Sequence, residues 1–391
     1  MSGSSVQPPR VLAVVGTRPE AIKMAPVLGA LRECDGVETR LALTGQHSDL
    51  LDRALEVFAL EPDYDLGIMR ADQSLYDVAQ GCLEGVRTVV QDFTPELVLV
   101  QGDTATVFFA SLVGFFEKVR VGHVEAGLRS GDKWAPFPEE VFRQLTDVIS
   151  DLHFAPTPMA ARRLLDEGVG PERVHVTGNT VVDALLSVTS QEREPDNPVL
   201  ASILADAAGR LVLLTAHRRE SFGQPLRNVF AAVRRIADEH PDVRILYPVH
   251  PNPNVTKPAT ELLGDHPRVH LVEPLGYFDL VSALRHAHLV LTDSGGIQEE
   301  APTFGTPVLV LREVTERPEG VEAGVARLVG TDQEVIVAEA RRLLSRGKST
   351  GGGAAGAVNP YGDGRAGERI ADIVLSTLTG SARSTSDWEG P

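Results

Sequence analysis

The stretch "ELVLVQGDTATVFFASLVGFFEKVRVGHVEAG", residues 96–127, decides the fold. Two short apolar runs, "ELVLVQGD" (96–103) and "VRVGHVEAG" (119–127), flank the longer segment "TATVFFASLVGFF". Apolar runs of this length read as strands buried on both faces, and a helix-sized segment between two strands makes them parallel. Working outward, "RVLAVVG" (10–16) and "ETRLALTG" (38–45) are further strands. Between the strands lie "PEAIKMAPVLGALREC", "HSDLLDRALEVFAL" and "LYDVAQGCLEGVRTVVQDF", whose apolar positions recur at three and four, the helical period. The alternation restarts with "RLVLLTAHR" (210–218), "VRILYPVH" (243–250), "VHLVEPLG" (269–276), "AHLVLTDSGG" (287–296) and "TPVLVLRE" (306–313). This predicts an α/β protein of two Rossmann-like halves, each a parallel sheet with helices on both faces.

A chain of 391 residues is long for one core, which agrees with two domains. The expected organisation is an N-terminal domain over 1–179 joined by a returning helix in 365–382, a second domain over 180–364, and a disordered tail over 383–391. "GKSTGGGAAGAVNPYGDG" (347–364) reads as a glycine-rich connector. The formal net charge of −17 argues against nucleic acid and anionic membranes as partners. No apolar run reaches the roughly 18 residues that span a bilayer. Cys34 and Cys82 have no metal-site spacing and read as buried thiols, and "MSGSSVQPPR" is not a signal peptide. A cytoplasmic, soluble protein is the expectation.

In open parallel sheets ligands bind where strand C-termini meet the following helices, and the chemistry-bearing residues cluster there. After the first strand, "GTRPEAIKMAP" puts Arg18 at a helix N-terminus and Lys23 one turn on, as an anion site or as a solvated cation pair. "LTDSGGIQEEAP" opens a helix with Ser294, Gly295 and Gly296. Two glycines there suit a diphosphate approaching backbone N–H groups, and Glu299 or Glu300 suits a ribose; the bland alternative is a capped helix. It is neither a GxGxxG nor a P-loop. Asp103 closes one strand and taken alone reads as an N-cap, Glu125 follows the next strand, and Glu139 and Glu140 follow Pro136 and Pro138. Carboxylates aimed at one crevice suit proton removal and return. His217, Arg218 and Arg219 follow the first strand of the second half, where cations would meet a leaving diphosphate. Arg143, Phe278 and Arg317 are further candidates for holding the substrate. His250 reads as a satisfied strand-end histidine.

With these motifs in place, the chain resembles the non-hydrolysing UDP-N-acetylglucosamine 2-epimerases from "VVGTRPEAIKMAP" to "NPYGDG". The likeness runs through "QHSDLLD", "PDYDLGIM", "GHVEAGLRSGD", "TGNTVVDALL", "HRRESFG", "YPVHPNPNV", "LTDSGGIQEEAP" and "TERPE". The resemblance implies a glycosyltransferase-B (GT-B) architecture with the active site in the inter-domain cleft, no cofactor, and a dimer. It implies interconversion of UDP-GlcNAc and UDP-ManNAc by elimination of UDP to 2-acetamidoglucal and re-addition. Carried over by position, Asp103, Glu125, Glu139 and His217 match catalytic residues. Arg18 and Lys23 match residues near the diphosphate and catalytic centre, and Ser294, Gly295, Gly296 and Glu300 match the UDP site. The alternatives are a hydrolysing relative, a glycosyltransferase and a non-enzymatic UDP-sugar binder.

Three departures stand out. Gln101-Gly102-Asp103 replaces the usual His-Gly-Asp. Phe142 stands where Asn is common. At the second, regulatory UDP-GlcNAc site the expected glutamine and arginine become Asp49 and Asp72, beside Gln46, His47 and Arg70. Two anions facing a diphosphate are unfavourable, which predicts weakened activation by substrate.

Overall fold

The protein is described from a computed structural model that covers residues 8–45, 49–68, 70, 73–191, 193–206, 208–345 and 359–391; the side chains of residues 49 and 50 are excepted. The chain divides into two compact units, Met1–Ala184 with Tyr361–Pro391, and Leu185–Pro360.

Unit 1 alternates strand and helix: β1 (Arg10–Val15), α1 (Arg18–Glu33), β2 (Glu38–Leu43), α2 (Asp49–Val57), β3 (Tyr64–Asp65), α3 (Leu75–Phe93), β4 (Leu97–Gln101), α4 (Ala105–Phe116), β5 (Arg120–Val124), α5 (Glu139–Ile149), β6 (Leu152–Ala155), α6 (Pro158–Asp166) and β7 (Val174–Val176). Its strands pair in the order β3-β2-β1-β4-β5-β6-β7, all parallel. Val11, Leu12, Ala13 and Val14 of β1 are wholly buried, as helices on both faces require. Helix α7 (Thr180–Thr189) then leads into unit 2.

Unit 2 runs α8 (Pro198–Ala205), β8 (Arg210–Thr215), α9 (Gln224–Glu239), β9 (Val243–Pro248), α10 (Pro253–Leu263), β10 (Val269–Val272), α11 (Tyr277–His286), β11 (Ala287–Thr292), α12 (Gly295–Glu300), β12 (Val308–Val310), α13 (Pro318–Glu322), β13 (Ala326–Leu328) and α14 (Gln333–Leu344). Its parallel sheet has the order β10-β9-β8-β11-β12-β13. Helix α15 (Ala366–Thr379) belongs to unit 1, where Ile370, Ile373 and Val374 join the core containing Met24 and Leu28 of α1. In each sheet the strand order reverses once, between β1 and β4 and between β8 and β11. These switch points open a crevice beyond the strand ends.

Both crossings lie later or earlier than the motifs suggest. Asn179 donates to the Tyr361 carbonyl at 2.7 Å and Gly367 donates to Asp183 at 2.8 Å, so the start of α7 and residues from 361 stay with unit 1. The connector over 347–358 lies outside the described residues. The expected disorder over 383–391 is corrected by the structure. β7 is an edge strand, and the tail uses its open side: Trp388 N–H donates to the Val176 carbonyl at 2.8 Å, and Asp387 accepts from Val176 N–H at 3.0 Å. Trp388 is buried against Gly178, and Asp372 accepts the N–H groups of Ser384 and Thr385. A polar composition suggests disorder; one tryptophan and an unpaired strand edge reverse it. No helix among the described residues is long and apolar enough to cross a membrane.

Candidate active site

The apolar runs read from sequence extend past the observed strand ends: β4 stops at Gln101 and β5 at Val124. The residues beyond them turn sharply. Gly102 has φ +92°, in the left-handed region that glycine adopts without strain. Glu125 also sits there, at φ +71°, which is costly for a residue with a side chain. The conformation is held because Glu125 N–H and Ala126 N–H both donate to the Phe154 carbonyl on β6, at 3.0 and 3.2 Å.

These turns bring four charged side chains together. Arg143 on α5 donates to Asp103 at 2.6 Å and to Glu125 at 3.2 Å, and also to the Glu125 carbonyl. Lys23 on α1 pairs with the other Glu125 oxygen. Arg143 is 4% exposed and Glu125 6%. Burial works against the Arg143 charge, but Asp103, Glu125 and Asp147 outweigh it and its pKa rises. Repulsion between carboxylates gathered in one crevice is thus relieved by two cations. Arg143, a candidate for substrate contact, is the hub of the cluster. Glu139 opens α5 one turn before Arg143, so the two share a helix face. It is half-buried, and the ion pairs of the cluster do not include it. Glu140 serves the loop instead of the cluster. It is buried, and it accepts from the N–H groups of Ser130 and Gly131 and so ties that loop down.

Glu20 does not stand out from sequence in the motif that holds Arg18 and Lys23. It is buried at the switch point, accepting from Gly16 N–H at 2.7 Å and from the Thr17 hydroxyl at 2.9 Å. Burial pushes its pKa up to about 7, against the hydrogen bonds of Gly16, Thr104 and Thr17. A glutamate three residues after a helix-capping threonine is the signal that could have found it. Phe142 is explained by packing: its ring stacks on Phe108 of α4 at 5.3 Å.

In unit 2 the switch point is organised by Asp293, 1% exposed, whose carboxylate accepts from the backbone N–H of His217 at 2.7 Å and of Arg218 at 2.8 Å. The His217 ring lies 3.6 Å from the second Asp293 oxygen and stacks on His250 with centroids 5.4 Å apart. His250 keeps a strand-end partner, its Nδ1 accepting from Asn252 N–H at 3.2 Å, while its exposed ring lies against His217. Burial lowers the His217 pKa; His250 and Arg218 add to this and Asp293 opposes it. Ser294 makes no side-chain cap bond, so the capped-helix alternative does not account for its hydroxyl. A Cβ at Gly295 would lie 3.5 Å from the Arg317 guanidinium, which Glu299 holds through a 2.7 Å hydrogen bond. Glu299 therefore anchors Arg317, and Glu300 follows it, half-buried. Phe278 is buried at the start of α11 beneath Arg193, 5.1 Å from its ring centre. Arg18 is half-buried at the first position of α1.

Of the regulatory candidates, Gln46, His47 and Asp72 lie outside the described residues, as does the Asp49 side chain. Arg70 is exposed, and its N–H donates to Gln73 at 2.5 Å.

A family model described as UDP-N-acetylglucosamine 2-epimerase matches residues 29–375. A Bacillus subtilis protein of that name is 47% identical over 366 residues, covering 94% of this chain and 95% of the relative. Among solved structures, an S. aureus protein determined with UDP is 44% identical with a TM-score of 0.87, covering 97% of this chain and all of the other. The UDP-GlcNAc 2-epimerase of Neisseria meningitidis, bound to UDP-GlcNAc, is 41% identical with a TM-score of 0.84, covering 95% and 100%. By sequence and by its two Rossmann-like, GT-B-type domains, the chain belongs to the UDP-N-acetylglucosamine 2-epimerase family, a family of isomerases.

Proposed function

We propose that the protein inverts C2 of UDP-GlcNAc, giving UDP-ManNAc, by elimination and re-addition. A base removes the C2 proton, the C–H electron pair becomes the C1=C2 double bond, and the C1–O bond breaks toward UDP to leave 2-acetamidoglucal. Protonation of C2 from the opposite face and return of the UDP oxygen to C1 complete the epimer. The observation that carries this reading is the Lys23–Glu125–Arg143–Asp103 cluster beyond β4 and β5, which holds two carboxylates in fixed positions with their charge compensated. Glu139 joins them as the third acid–base group from the same helix face as Arg143. The three act as one coupled set of proton sites. On unit 2, Ser294 and the backbone N–H groups at Gly295 and Gly296 hold the diphosphate, with Arg218 and Arg317 balancing its charge and His217 beside it. Glu300 takes the ribose and Phe278 the base; Arg18, at the start of α1, is the candidate anion contact within unit 1. A grip that survives breakage of the C1–O bond is what re-addition requires.

Incubation with UDP-GlcNAc in heavy water, followed by NMR, tests the reading. The expected product is UDP-ManNAc carrying deuterium at C2, with deuterium also entering recovered UDP-GlcNAc. Free N-acetylmannosamine, inversion without exchange, or no change without an acceptor would each overturn it.

The working protein is proposed to be a homodimer. Support comes from a patch on unit 1 where Tyr76 is 87%, Trp134 66% and Phe137 57% exposed, with Trp134 stacked on Phe137.

A further inference from the structure

His123 lies behind the carboxylate cluster, the fourth residue of β5, wholly buried. Its Nε2 is 2.8 Å from the Gly102 carbonyl oxygen and its Nδ1 is 2.6 Å from an Asp147 oxygen. A carbonyl oxygen can only accept, so Nε2 carries a hydrogen. The second contact needs a proton too, because a bare Nδ1 facing a carboxylate at that distance would set lone pair against lone pair in a dry interior. That proton sits either on Asp147 or on the ring. Arg129 decides between them: it lies 2.7 Å from the other Asp147 oxygen, which also accepts from Gly127 N–H at 3.3 Å. A permanent cation and an amide donor on one oxygen favour the ionised carboxylate. Burial acts to raise the Asp147 pKa, but His123 and Arg129 outweigh it and bring it down to about 2. The other charged or titratable groups facing the pair are Arg143, on the same helix as Asp147, and His153 of β6, whose Nε2 meets the Asp147 carbonyl at 2.8 Å. Arg129 is in turn shared with Glu167.

We propose that His123 donates from both ring nitrogens and thereby positions the reactive carboxylates of unit 1. One N–H holds the Gly102 carbonyl, and so the turn that aims Asp103. The other binds Asp147, which grips the Gly127 end of the turn that aims Glu125 and sits one helical turn from Arg143. The link makes β4, β5 and α5 one rigid frame, so that Asp103 and Glu125 keep the spacing that Arg143 bridges. His123 has no access to substrate; it acts through these neighbours. The assignment of Asp103 and Glu125 as reactive groups rests on the proposed function, whereas the two hydrogen bonds of His123 do not.

Nitrogen-15 NMR of histidine-labelled protein tests the two donations. Both His123 ring nitrogens are expected to carry hydrogen, and Asp147→Asn is expected to strip one of them; a bare ring nitrogen in the native protein overturns the proposal. His123→Gln, whose amide donates from one atom, can serve only one of the two acceptors. It should lower kcat by at least about 10-fold with KM and UDP affinity within about 2-fold, a split that general destabilisation would not give. Unchanged kcat in that variant also overturns the proposal. Should His123→Gln fail to fold, the NMR measurement on the native chain decides. Failure of the heavy-water experiment would instead remove the reaction while leaving the double donation of His123 intact.

Discussion

Glu20 and Glu125 show how differently one side chain can be used in a single crevice. Glu125 is held by Lys23 and Arg143, which compensate the charge of a buried carboxylate. Replacing Asp103 by Asn, or Glu125 or Glu139 by Gln, should each lower turnover at least ~100-fold, read as kcat in a coupled assay, while UDP binding measured by calorimetry stays near that of the native chain. Near-normal turnover in all three would reassign the site. Glu20 has hydrogen bonds but no cation partner among those that shift it, and its pKa rises to about 7 from 4.5. The folded state therefore binds this proton more tightly than the unfolded state does. Its contribution to stability is full below about pH 4.5 and is lost as pH rises through about 7. Native protein should lose stability relative to Glu20→Gln across that window, by up to about 1.4 kcal/mol per pH unit. Paired thermal melts across this pH range check it; a difference that does not change with pH would show that Glu20 stays ionised.

At the scale of elements, the tail changes the account of the N-terminal sheet. An edge strand as short as β7 leaves its outer N–H and C=O groups open, a liability that proteins cover with a loop or strand. Here Asp387 and Trp388 cover Val176 from the same chain, and Arg369 on α15 fastens the cover through the Ser386 carbonyl at 3.1 Å and a pair with Asp363 at 2.7 Å. Trp388→Ala should cost about 3 kcal/mol, by analogy with other buried tryptophans. Removal of residues 381–391 should cost at least as much, and should speed amide exchange at Val176 while leaving unit 2 unaffected. Equal melting points for the native and shortened chains would show that the tail merely rests on the surface.

For the molecule as a whole, the charge of −17 and the exposed aromatic patch pull in opposite directions. Net charge favours separate, soluble copies, whereas an apolar patch of this kind favours association. Local burial of apolar surface outweighs a diffuse, salt-screened charge, so a dimer is expected in sedimentation at physiological salt. Trp134→Ser together with Phe137→Ser should shift it toward monomer. A native chain sedimenting as monomer at micromolar concentration would remove the dimer proposal.

The sequence by itself determined the two parallel sheets, because runs such as "RVLAVVG" and "RLVLLTAHR" can be satisfied only by burial on both faces. It also placed Asp103, Glu125, His217 and Ser294 beyond strand ends, where an open α/β sheet binds ligands. Tertiary structure decided everything that depends on a partner distant in the chain. Whether Arg143 meets a carboxylate, whether Glu140 ties a loop, and whether the tail is loose or fastened turn on which atoms come within about 3 Å. Residue type limits what a side chain can do; its neighbours, brought together by the fold, select which of those things it does.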